Sequence, residues 1–89
     1  SQELLEEQIN EKEFRFSARL EIDHLNEEYE LNIPKEEAYE TLGGFIIEHT
    51  ENIPEENEEI KIADFVIKIL KVSSSKIEEV YFQINNTED

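Results

Sequence analysis

His24 and His49 are the side chains best placed by type to move a proton near neutral pH or to ligate a transition metal. They fall on two different predicted helices, with no motif joining them and no third ligand at a recognisable spacing. They read as one surface histidine and one half-buried helix histidine. The runs Glu27-Glu28, Glu36-Glu37, Glu55-Glu56 and Glu58-Glu59 offer the oxygen ligands that Mg²⁺ or Ca²⁺ accepts. The D-x-D-x-D-G spacing of a calcium loop is absent, so these runs read as a solvated face that collects divalent cations adventitiously. Paired carboxylates for hydrolysis need a cleft that raises one pKa, and acids spread over helix surfaces and loops of a short chain do not supply one. Gly43-Gly44 invites comparison with a phosphate-cradling turn for a flavin or nucleotide. A dinucleotide loop, however, is G-x-G-x-x-G between a strand and a helix with an acidic companion further on. This chain has two glycines in all, in acidic surroundings, so packing is the expected role. No catalytic, cofactor-binding or metal residue is assigned, and the chain is not expected to be an enzyme. Tyr29, Tyr39 and Tyr81 are the remaining candidates, as anchors for a partner.

The elements that must position these groups are bounded by an 89-residue length, enough for one domain with a modest core. With 24 acidic and 8 basic residues the formal charge is −16. Such a surface repels phosphate backbones and anionic lipid, which disfavours nucleic acid and membrane surfaces as partners. The charge is uneven: residues 1–60 carry a net −15 and residues 61–89 a net −1. The last third is therefore where docking is expected. No cysteine is present, which excludes disulfides, thiolate zinc and a cysteine nucleophile. No apolar run approaches the length of a membrane span.

Residues 1–12 read as a linker or frayed helical leader. Phe14, Phe16, Ala18 and Leu20 alternate with Arg15, Ser17 and Arg19, which predicts a half-buried strand over 13–20. Ile22, Leu25 and Tyr29 share a helical face over 22–29. A second helix is predicted over 36–50, with Leu42, Phe45, Ile46 and His49 on one side; alternatively Thr41 caps a helix that begins only there. Glycine inside a helix costs about 1 kcal/mol against alanine, so Gly43 and Gly44 require a close approach of another element to the bare backbone. Strands follow at 59–63, 65–72 and 76–84, the middle one apolar on both faces. On the last, Val80, Phe82 and Ile84 point one way and Ile77, Tyr81 and Gln83 the other, so these three are the expected interface. Residues 85–89 read as a tail. The order β-α-α-β-β-β predicts an α+β fold, a small antiparallel sheet with two short helices on one face.

The runs FRFSARLEIDHLNEEYELNIP, YETLGGFIIEHTENIP and EEIKIADFVIKILKVSSSKIEEVYFQI together resemble the CorC/HlyC transporter-associated domain over residues 13–84. The most specific piece runs from Tyr39 to Phe45 through Thr41, Gly43 and Gly44, with Ile53-Pro54 a helix length later. Thr41, Gly43, Gly44 and Pro54 are its structural motif. Arg19, and the absence of glycine at Ala63–Asp64, depart from the family pattern.

The resemblance implies a domain cut from a hemolysin-like membrane protein, lying on the cytoplasmic side behind a membrane region and a pair of CBS modules. It implies modulation of magnesium or cobalt transport, with the parent's own CBS pair and membrane region, or a second copy in a homodimer, as partner. The family fold is similar to a subdomain of PCMH-type flavoenzymes, so flavin or adenine nucleotide binding is an alternative by fold analogy. A divalent-cation-responsive acidic domain is a third.

Overall fold

Phe14, Phe16, Ile67, Ile69, Val80 and Phe82, each at most 1% exposed, come from three strands and form the centre of the core. Their alternation with exposed or half-buried neighbours makes each strand amphipathic, so one face of the sheet must be roofed. The computed structural model describes residues 3–86. Its elements are β1 (Glu6–Gln8), β2 (Glu13–Ser17), α1 (Ile22–Tyr29), α2 (Leu42–Thr50), β3 (Glu59–Ile62), β4 (Phe65–Val72) and β5 (Ile77–Ile84). The strands form one antiparallel sheet in the order β1-β2-β5-β4-β3. Ile22 and Leu25 of α1 and Leu42, Phe45 and Ile46 of α2 close the core from one side. The α+β architecture is the one expected from the sequence, with one strand more.

That strand is β1. Residues 6–8, expected within a linker or frayed helix, pair with Phe14–Phe16 at the sheet edge. Glu6-Glu7-Gln8 are all exposed, so they carry no apolar alternation to signal a strand. The two first residues of the leader and residues 87–89 of the expected tail lie outside the described residues. The second helix is shorter than 36–50. It starts at Leu42, where Thr41 adopts extended geometry and its hydroxyl accepts the Gly44 N–H at 3.2 Å, as in the alternative reading of that segment.

α1 ends at Glu30 in the left-handed region (φ 57°), and the chain turns back through Leu31 and Ile33, both buried. Asn26 fixes this return. Its amide donates to the Ile33 carbonyl at 3.0 Å, and its carbonyl accepts the Ile33 N–H at 2.7 Å.

The β3–β4 loop is Ala63–Asp64, with Ala63 at φ 54°. An L-residue there costs about 1–2 kcal/mol, which glycine avoids while losing more chain entropy on folding. Ala63 is exposed and stands outside the core cluster. Ala63→Gly is therefore expected to stabilise the domain by about 0.5–1 kcal/mol, read as a higher urea midpoint with an unchanged slope.

Candidate functional site

The diglycine is a joint between elements. The Gly43 N–H donates to the Ala18 carbonyl at 2.8 Å and the Leu42 N–H to the Leu20 carbonyl at 2.9 Å. With Gly44 bonded to Thr41, the first N–H groups of α2 are already spent on the protein itself. They have nothing to offer a phosphate, although helix N-termini in general bind one. A Cβ on Gly43 would stand 3.2 Å from Ala18 Cβ and 3.3 Å from its carbonyl oxygen, and one on Gly44 only 2.8 Å from Tyr39 Cβ. Close approach of β2's end and of Tyr39 explains both glycines. Pro54 is buried beyond α2.

Among the described residues, shallow hollows open beside the helices. The diglycine borders one of ≈250 Å³, shared with Arg19, Ile47 and Lys76. A second, ≈450 Å³, is ringed by Glu21, Asp23, Glu36, Glu37 and Glu40, with Lys35 paired to Asp23 at 2.6 Å. The third, ≈300 Å³, lies between Tyr39, Phe45 and His49. Tyr39 donates its hydroxyl to the Pro34 carbonyl at 2.6 Å and packs on Phe45. Among the described residues, no group of three or more His, Asp or Glu side chains is placed to hold a metal ion.

His24 and His49 are both exposed, and the structure gives each different company. His49, expected half-buried, borders the Tyr39 hollow. The His24 Nε2 lies 2.8 Å from Glu6 Oε2, which also accepts the Tyr29 hydroxyl at 2.7 Å. α1 thus holds the edge strand β1 through a single carboxylate. The hydrogen bond to Glu6 raises the His24 pKa, against slight burial, with Glu6, Glu27 and Glu28 adding to the rise. Burial pushes Glu6 up, but the bonds from Tyr29 and His24 outweigh it and leave its pKa lowered. Tyr29 is pushed up to about 12 by burial and by Glu6.

A raised histidine contributes stability below its unfolded value of 6.5 and loses it as pH climbs through the folded value. The lowered Glu6 contributes above 4.5 and loses it as pH falls through its folded value. Both contributions are complete between pH 4.5 and 6.5. The stability difference between the native chain and His24→Gln, measured by urea melts, is expected to be largest in that window and to shrink towards pH 8. Comparing the two chains cancels the general self-repulsion of the acidic surface.

Among the described residues, no helix covers the other face of the sheet. Strand register orders it into rows. One reads Glu7, Arg15, Tyr81, Lys68, Glu59 across β1-β2-β5-β4-β3; the next reads Glu13, Gln83, Val66, Lys61 across β2-β5-β4-β3; Glu79 and Lys71 form a third. Arg15 Nη2 pairs with Glu7 at 2.6 Å. Half of the chain's 8 basic residues stand here with four carboxylates, so the face is neutral on a body that carries −16. Val66, Leu70, Tyr81 and Gln83 are half-buried at its centre.

Tyr81 and Gln83 thus lie where the sequence placed them, and Ile77 does not. Ile77 is 2% exposed and joins the core. The β4–β5 register shifts around Lys71, so that Leu70 and Glu78 have no direct cross-strand partner. An extra residue in β5 reverses which face Ile77 points to, which strict alternation cannot anticipate. Glu6, Asn26 and the basic residues Arg15, Lys61 and Lys68 were not singled out by sequence. Only the register brings those three onto one surface.

A family model described as "Transporter associated domain", CorC_HlyC, matches residues 7–86. The chain is 30% identical over 50 residues to the UPF0053 protein YegH of Escherichia coli K12; this covers 56% of the chain and 10% of that relative, so the chain spans about a tenth of the relative's length. A CorC_HlyC transporter associated domain from Nitrosomonas europaea superposes with a TM-score of 0.79 at 23% identity, covering 93% of this chain and 99% of that one. The transporter associated domain of a CBS domain protein from Porphyromonas gingivalis gives 0.73 at 13% identity, covering 91% and 98%. Among the described residues no helix is long and apolar enough to cross a membrane. With four-fifths or more of its length inside the family model and the same fold in both structures, the chain belongs to the CorC_HlyC family of transporter associated domains.

Proposed function

We propose that the chain is a regulatory docking domain of a CBS-containing membrane protein, held on the cytoplasmic side, where it biases the transport of a divalent ion such as magnesium or cobalt. The observation that carries this is the neutral, half-buried open face on an otherwise strongly acidic body. Acidic surfaces keep a domain soluble and apart from other acidic surfaces, and a neutral face with Tyr81 at its centre is where contact costs least. The family membership supports the transporter context, and the Porphyromonas relative, a CBS domain protein, supports a CBS neighbour. The hollow ringed by Glu21, Asp23, Glu36, Glu37 and Glu40 is open and acidic, and those beside the diglycine and Tyr39 are open and small, which suits solvent better than a reaction.

The test is ion flux through the full-length parent in vesicles, with Tyr81→Glu compared to the native protein at matched membrane content. The expected result is an altered rate or altered ion dependence. Native flux from a correctly inserted variant would overturn the reading.

A further inference from the structure

We propose that the open sheet face pairs with the same face of a second copy of this chain, about a two-fold axis that runs parallel to the strands between β4 and β5. This rests on the docking reading above and names the partner.

The argument is the register. Such an axis places β5 of one copy over β4 of the other and β2 over β3, and keeps each row opposite itself in reverse order. In the first row Arg15 then faces Glu59 of the second copy, and Tyr81 faces Lys68, a cation over an aromatic face. In the second row Glu13 faces Lys61, and Gln83 faces Val66. In the third Glu79 faces Lys71. Every charge on the four paired strands except Lys68, which meets the Tyr81 ring, meets its opposite, and two-fold symmetry makes each contact twice.

The other in-plane axis, across the strands through the Tyr81 row, would set Arg15 on Arg15 and Glu59 on Glu59. Any pairing through the helical side would bring together surfaces that hold the excess of negative charge. The central columns carry the less polar groups, Tyr81, Gln83, Val66 and Leu70, beside Lys68, Lys71 and Glu79, whose charges are answered across the pairing by Tyr81 and by one another. Sheets packed face to face lie about 10 Å apart and cross at about 30°, which displaces the outer columns by about 4 Å. Arginine, lysine and glutamate side chains span that offset. Arg15 already holds Glu7, and its five donors allow it to serve Glu59 of the second copy as well.

The chain can be tested as it stands, since the related Nitrosomonas structure is almost entirely this domain. Sedimentation equilibrium should show a concentration-dependent monomer–dimer equilibrium. Glu13 and Lys61 lie three strands apart in one chain, about 14 Å, too far for a direct bond. Lys61→Glu and Glu13→Lys should each weaken pairing by about tenfold, because each places like charges opposite one another twice. An equimolar mixture of the two variants should recover native pairing, since a mixed dimer restores both contacts. Melting curves check that each variant is folded.

A native chain that stays monomeric at hundreds of micromolar would overturn the proposal, as would a mixture no tighter than its components. A monomeric chain in which Tyr81→Glu still alters ion flux would remove the second copy while leaving the docking domain in place, with the CBS pair as its partner.

Discussion

Phe82→Ala is expected to lower the free energy of unfolding by about 3–5 kcal/mol, the range for truncating a buried aromatic side chain. Phe82 is fully buried and sits where four aromatic rings converge. Its centroid lies 4.8 Å from Phe65, 5.7 Å from Phe16 and 6.3 Å from Phe14. It is also the cross-strand partner of both Phe14 and Ile67, so the void would open in the middle of the sheet, where collapse is hardest. A domain of this size is stable by about 5–10 kcal/mol in total, so the loss takes away about half. Calorimetry should show a melting temperature lower by about 15–30 °C. A fall of only a few degrees would mean that the neighbouring rings repack into the space.

The second large effect belongs to Asn26. Its side chain satisfies both backbone groups of Ile33 in a connection that ordinary secondary structure does not reach. Asn26→Ala removes both partners and leaves a partly buried donor and acceptor to find water, at a cost of about 2 kcal/mol. Asn26→Asp is the sharper probe. It keeps the acceptor for the Ile33 N–H but sets a carboxylate against the Ile33 carbonyl, so its penalty should ease at acid pH while that of Asn26→Ala should not. Urea melts of both variants at pH 4 and pH 7 would separate loss of the clamp from a general weakening of α1.

How much of this was legible in the sequence varies residue by residue. The helix at Ile22–Tyr29 and the strands at Phe65–Val72 and Glu59–Ile62 announce themselves by the spacing of their apolar positions. The requirement that something crowd Gly43 and Gly44 was legible too, because helix-interior glycine is unfavourable without a reason; that Ala18 and Tyr39 do the crowding was not. β1 was hidden because an edge strand with both faces exposed needs no apolar residues, only backbone partners in β2. Ile77 was assigned to the wrong face because a bulge is a property of the strand pair, and nothing local to Ile77–Val80 marks it. For the candidate site, Tyr81 and the near-neutral last third were visible as composition. The rows of mixed and balanced sign were not, because they join residues up to about seventy positions apart.

Both margins of the sheet are short, three residues in β1 and four in β3, and both carry charged side chains: Glu6 and Glu7 on one, Glu59 and Lys61 on the other. Short, charged edges make poor templates for a further strand. Growth by adding chains edge to edge into an open-ended ribbon is therefore suppressed, and the molecule can be held at high local density without seeding fibres.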